Sequence, residues 1–240
     1  MTEPAAPVGA WGSARRGAVA IGPIALGVMP YGLIAGYAAI DIGLRIAEAV
    51  GFSVFFFAGA AQLAAIDLLG AGAPVGVVLL TVLAINVRLV MYSASLAPHL
   101  STEPVGRRGL AAYVLSDHAF AVAIGPIVGA PGRIVPLWYY LGAALPLWAC
   151  WQLWTILGAV AGSAIPDGLQ LGFAVPLAFL ALLVPAITDR PTLVAAIVAG
   201  AVATSTVELP ANLGMPLGAV AGIAAGVLLT RRRPLRSGAT

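Results

Sequence analysis

Arg88 lies near the middle of an apolar run, 73–97, in which Asn86 is the other strongly polar side chain of comparable size. A run of that length spans a bilayer, and an arginine near its centre costs about 3 kcal/mol or more unless it meets a partner, a water-filled cavity or a ligand. On a helix, Thr81, Arg88, Tyr92 and Ser95 fall within one narrow arc, whereas Asn86 points away from them. A polar stripe of this kind lines a cavity. Two plainer readings stand beside it. Arg88 can snorkel to a helix end about 10 Å away, and Asn86 suits helix-to-helix hydrogen bonding better than ligand contact.

The run 110–129 carries a second cluster, Tyr113, Ser116, Asp117 and His118. A carboxylate in that setting pairs with Arg88, binds a ligand ammonium or carries a proton, and His118, which titrates near neutral pH, can relay one. A purely structural ion pair between Asp117 and Arg88 is the alternative. In the run 46–69, Phe57-Ala58-Gly59-Ala60-Ala61-Gln62 sets small residues before a glutamine. The small residues suit tight helix packing, and Gln62 suits either an interhelical hydrogen bond or a substrate contact. Glu48 and Asp67, nearer the ends of that run, read as ordinary hydrated carboxylates.

Other chemistries find no foothold. His99 and His118 with scattered carboxylates lack metal-ligand spacing. No nucleophile and base converge as an enzyme would need, and no cofactor is expected. Cys150 is the only cysteine, so no intrachain disulfide forms. The net charge of +3 comes from thinly spread residues without a basic stripe and interleaved aromatics, which excludes nucleic-acid binding.

The elements that must hold these residues are membrane helices. Hydrophobic residues make up 61% of the chain and charged residues 9%, and the mean hydropathy is +1.02, values no soluble domain of this length shows. Apolar segments fall at 17–40, 46–69, 73–97, 110–129, 134–160, 169–187, 192–207 and 212–230. Each is near the spanning length of about 20 residues. The first is too long for a signal-peptide core and reads as a retained helix. The fold expected is an all-α polytopic integral membrane helical bundle of eight segments, or seven if the short 192–207 segment is only a partial span. Short connections leave no room for a soluble domain. The organisation expected is a cytoplasmic N-terminal tail at 1–16, a single transmembrane transporter domain at 17–230 and a basic cytoplasmic tail at 231–240.

With eight spans and both tails inside, Arg15, Arg16, Arg133, Arg190, Arg231, Arg232, Arg233 and Arg236 are cytoplasmic, and Arg45, Arg107 and Arg108 lie outside. A re-entrant early segment would bring Arg107 and Arg108 inside. Pro23 and Pro30 interrupt the first segment, Pro126 the fourth, Pro146 the fifth, and Pro176 with Pro185 the sixth. Proline frees a backbone carbonyl, and transporters bind substrate at broken helices of this kind. Pro30 and Gly32 are expected to break the first helix. Simple kinks are the plainer alternative.

Gly27-Val28-Met29-Pro30-Tyr31-Gly32, then Glu48-Ala49 and Ser53, then Phe57-Ala58-Gly59-Ala60-Ala61-Gln62, then Ile85-Asn86-Val87-Arg88 with Tyr92, Ser95, Leu96 and Pro98, resemble in that order the AzlC family. The likeness covers most of residues 17–125. A later stretch, Leu180-Ala181-Leu182-Leu183-Val184-Pro185 with the loop 188–191, is similar but less specific. The chain departs from the family pattern at Leu89, where a histidine is usual, and at Asp117-His118, where an Asp-Glu pair is usual.

The resemblance implies an exporter of branched-chain amino acids in the cell membrane, working with a small, separately encoded AzlD-type membrane subunit. Such a substrate is an apolar side chain joined to a carboxylate and an ammonium. Arg88 or a half-helix amino terminus suits the carboxylate, Asp117 or a backbone carbonyl the ammonium, and the Phe55 to Phe57 neighbourhood an apolar wall. The substrate-site candidates are therefore Arg88, Asp117, Gln62, Tyr92 and Asn86, with His118 and Asp117 as proton-relay candidates. A transporter of another small metabolite, a noncatalytic structural subunit and an intramembrane enzyme are the competing classes.

Overall fold

A computed structural model describes residues 8–129, 132–164, 187, 189–206 and 214–231. These are helical almost throughout. In chain order the helices are α1 (Ala10–Asp41), α2 (Ile46–Phe55), α3 (Gly59–Gly70), α4 (Val75–Leu96), a 3-10 turn (Ala97–Leu100), α5 (Val105–Tyr113), α6 (Asp117–Gly129), α7 (Pro136–Ala164), α8 (Arg190–Ser205) and α9 (Gly214–Arg231). Three stretches, Ala10–Asp41, Val75–Leu100 and Pro136–Ala164, are each long and apolar enough to cross a membrane alone. The segment expected at 169–187, with Pro176 and Pro185, lies almost wholly outside the described residues, as do the motif at 180–185, residues 1–7 of the N-terminal tail and 232–240 of the C-terminal one.

The chain divides into two compact units, one drawn from Met1–Leu63 and Ala84–Gln170, the other from Ala64–Leu83 and Leu171–Thr240. The first unit is organised by α1 and α7. Each brings glycines to the contact, so the backbones approach without intervening side chains. A Cβ on Gly17 would meet the Tyr139 carbonyl, and one on Gly36 the Thr155 carbonyl. In the reverse direction, a Cβ on Gly158 would meet the Leu33 carbonyl. Residue numbers rise together along both partners, so α1 and α7 run parallel. Ile21, Val28, Ala35 and Ala39 of α1, with Leu137, Tyr140, Ala144, Leu147 and Trp151 of α7, are buried there. Dispersion across such close faces is what holds helices together where lipid removes the hydrophobic drive.

In the second unit α8 and α9 pack antiparallel by the same means. Gly218 and Gly222 of α9 lie against Ala199 and Ala195 of α8. The start of α8 is capped by Asp189, whose carboxylate accepts from the Thr192 backbone N–H at 2.9 Å.

Two of the expected segments are broken. The segment 46–69 divides into α2 and α3 with residues 56–58 between, and the segment 110–129 falls within α5 and α6 with residues 114–116 between. The expectation that Pro30 and Gly32 break the first helix is corrected, because α1 continues unbroken through Pro23, Pro30 and Gly32. One proline removes one backbone hydrogen bond, and α1 is held along its length by α7. Gly32 serves that contact, its α-carbon facing Trp151 and Trp154. Pro126 and Pro146 likewise sit inside continuous helices, α6 and α7.

Candidate functional site

The breaks place helix ends inside apolar segments, and a helix end leaves backbone groups unpaired. At the end of α2, the Ser53 carbonyl accepts from Gln152 Nε2 of α7 at 3.2 Å, while Trp151 Nε1 donates to Ser53 Oγ at 3.1 Å. The next carbonyl, Val54, accepts from the Tyr113 hydroxyl at 2.7 Å. At the end of α5, the Ala111 carbonyl accepts from the Tyr140 hydroxyl of α7 at 3.0 Å, and Tyr140 is fully buried. A single helix, α7, thus stops both half-helices with side chains twelve residues apart, or about 18 Å along its axis.

The second half of each broken segment begins with a site candidate. Ser116 caps α6, its Oγ accepting from the Ala119 N–H at 3.4 Å, and Asp117 occupies the first helical position. Amide dipoles at that end favour negative charge. Across from it, Arg88 of α4 places a guanidinium nitrogen 2.9 Å from Asp117 Oδ2, with the two side chains 34% and 33% exposed. Arg88 Nε and Asp117 Oδ1 have no hydrogen-bond partner among the described residues. The pair is therefore both open and incompletely satisfied. Tyr92, one turn beyond Arg88, stacks its ring on Phe120 of α6 at 4.4 Å between centroids.

Gln62 lies in the first turns of α3 and is 1% exposed, yet neither its amide oxygen nor its amide nitrogen has a partner among the described residues. A buried amide left without hydrogen bonds is destabilising by about 1–3 kcal/mol.

Helical spacing put Arg88 and Tyr92 on one face and charge offered Asp117 as a partner for Arg88, and the structure brings these three together. Ser95, placed on the same stripe, instead donates to the Met91 carbonyl of its own helix at 2.9 Å and is exposed. Thr81 is buried without a partner for its hydroxyl among the described residues. Asn86 Oδ1 is enclosed and has none either. His118, one residue past Asp117, is exposed. Of the aromatic wall expected around residues 55–57, Phe55 is 90% exposed, whereas Phe56 stacks on Phe52 at 5.4 Å. Glu48 pairs with Arg45 at the start of α2, as its place near a segment end suggested.

Sequence reasoning passed over Tyr140, Gln152 and Thr155, and took Ser53 only as part of the family motif. Gln152 Oε1 and Thr155 Oγ1 are buried without partners among the described residues. The signal that singled out Gln62, a polar side chain in an apolar segment, was present for both. Tyr140 carried none, because a tyrosine near a segment start reads as an interfacial anchor.

A family model described as AzlC protein matches residues 23–165, a span that takes in both broken segments and every residue of the cluster. The chain is 31% identical over 213 residues to the protein named Inner membrane protein YgaZ of Escherichia coli strain K12, with 86% of this chain and 84% of that one covered. It is 30% identical over 227 residues to an uncharacterised membrane protein of Archaeoglobus fulgidus, with 90% and 93% covered. No solved structure matches it significantly. Relatives named as membrane proteins and helices of spanning length agree on a multi-pass protein of the cell membrane.

Proposed function

The chain belongs to the AzlC family of membrane transporters, and on that premise we propose that it exports branched-chain amino acids: valine, isoleucine and leucine, with methionine as a further substrate. Its working form includes a small AzlD-type membrane subunit, and family membership is what supports that partner. The observation that carries the reading is the open ion pair between Arg88 and Asp117 at the start of a half-helix. An amino-acid zwitterion presents one carboxylate and one ammonium, so it can exchange with both members of such a pair. Arg88 then takes the carboxylate, aided by its unpartnered Nε. Asp117 takes the ammonium. Gln62 supplies a buried amide able to donate and accept, and Tyr92, stacked on Phe120 three residues past Asp117, closes the site.

An exchange of charge pairs answers the desolvation problem that an intramembrane site faces. Separate charges in a low-dielectric setting are costly, and a pair replaced by two new pairs keeps each charge compensated throughout. Half-helix ends at breaks give such sites their dipoles and free backbone groups in other transporters. On this reading His118, the residue after Asp117, passes a proton to or from that carboxylate during the return step.

The test is efflux of valine, isoleucine, leucine and methionine from preloaded cells expressing the chain with and without its AzlD-type partner. Efflux that depends on the chain and strengthens with the partner is the expected result. Efflux of all four that is indifferent to the chain would sink the reading.

A further inference from the structure

The two broken segments share one plan. A half-helix of 10 residues, a three-residue break and a half-helix of 12 make the first. In the second, the half-helices have 9 and 13 residues about a break of equal length. In each, the carbonyl two residues from the end of the first half accepts from α7: Ser53 from Gln152, and Ala111 from Tyr140. In each, the second half opens near a charged or amide side chain of the proposed site, Gln62 or Asp117.

One side chain joins the two breaks directly. Tyr113, the last residue of α5, donates its hydroxyl to the Val54 carbonyl of α2 at 2.7 Å and accepts from Trp148 Nε1 of α7 at 3.2 Å. Its ring lies 6.2 Å from that of Trp148. The hydroxyl therefore completes a carbonyl that the break would leave bare.

We propose that Tyr113 is a positioning residue for transport, pinning the end of α5 to the end of α2 so that Gln62 and Asp117 open onto one substrate. This rests on the amino-acid export reading for its functional consequence, but the pin itself does not. A bond from side chain to backbone fixes two chain ends without itself meeting the substrate. Loss of the hydroxyl loosens two breaks at once, because among the described residues the neighbouring carbonyl of each is held from α7.

Tyr113→Phe removes the hydroxyl and keeps the ring against Trp148. Two readouts follow, the first independent of substrate. Amide hydrogen exchange of the purified chain should rise several-fold in both 54–62 and 114–120, whereas Trp148→Phe, which leaves the bond to Val54 in place, should change the first stretch little. Exchange that rises at 114–120 alone, or at neither, overturns the pin whatever the protein transports. The second readout is efflux normalised to folded protein: KM should rise about five- to tenfold with a smaller change in maximal rate. A drop in protein yield with KM unchanged shows a merely structural tyrosine and overturns the positioning role. A wild-type chain with no amino-acid efflux would sink the export reading and leave the exchange result to judge the pin.

Discussion

Arg88 and Asp117 form a contact whose two members are each about a third exposed, and the proposed binding role draws on that openness. A pair closed on all sides would hold its geometry and offer nothing to a ligand. Replacing Arg88 with lysine keeps the charge but loses the planar fork that matches a carboxylate; replacing it with glutamine loses the charge as well. A charge-assisted hydrogen bond is worth about 1.5–3 kcal/mol, so both Arg88→Lys and Asp117→Asn should raise the KM for valine efflux by about ten- to a hundredfold. Arg88→Gln should abolish flux. Wild-type efflux in Arg88→Gln, measured at matched protein level, would return Arg88 to the snorkelling role. Much of this cluster was legible, since helical spacing alone put Arg88 and Tyr92 on one face and Asp117 was a natural partner. Ser95 was not legible as an outsider, because a serine on a helix satisfies itself on the carbonyl four residues back without leaving a trace in the pattern.

Elements show where hydropathy stops informing. The long helices α4 and α7 coincide with expected segments within four residues at each end, whereas α1 starts seven residues before its segment, inside the stretch expected as a tail. The breaks do not fall at prolines. Residues 56–58 read Phe-Phe-Ala, so an apolar run passes through the first break with no drop in hydrophobicity, whereas residues 114–116 read Val-Leu-Ser and lead into Asp117-His118, polar residues that signal a site rather than a helix end. The physical signs of both breaks are the partners that receive the freed carbonyls, and those lie nearly a hundred residues away in the first case and about thirty in the second. The carbonyl of Ala111 loses its donor in Tyr140→Phe, a change of one atom in a fully buried ring. An unpaired buried group costs about 1–3 kcal/mol, and the purified protein should melt several degrees lower in detergent while keeping its helical circular dichroism. An unchanged midpoint would mean water replaces the hydroxyl. The pairing of α1 with α7 is less forgiving. Gly36→Val sets side-chain atoms against the Thr155 carbonyl and the Ala159 amide, and overpacking of this kind costs about 3 kcal/mol. Loss of monodisperse protein on size-exclusion chromatography is the expected outcome, with wild-type behaviour arguing that the two helices can part.

Across the molecule, direction is the strongest statement the helices make together. Since α1 and α7 run parallel, an odd number of membrane crossings separates them. The elements between are α2 with α3, α4, and α5 with α6. If α4 crosses, the two broken segments must either both cross or both turn back. Each half of a broken segment is too short to span about 30 Å, while the two halves together are long enough. Both crossing is thus the economical solution, and it removes the case in which one early segment alone is re-entrant. That arrangement leaves Arg45 and Arg107 on the side opposite the N-terminal arginines, against the usual charge bias. Both are ion-paired, Arg45 with Glu48 and Arg107 with Glu103, and Arg107 also lies 5.8 Å above the Trp138 ring. Single cysteines on a Cys150→Ala background settle the point. Replacements at Arg45 and Ser101 should react with a membrane-impermeant maleimide from one face, and those at Ala71 and Arg133 from the other. Labelling of Arg45 and Ala71 positions from the same face would show the first broken segment turning back, and the same result for Ser101 and Arg133 would show it for the second. Either pattern alone would contradict the parallel run of α1 and α7.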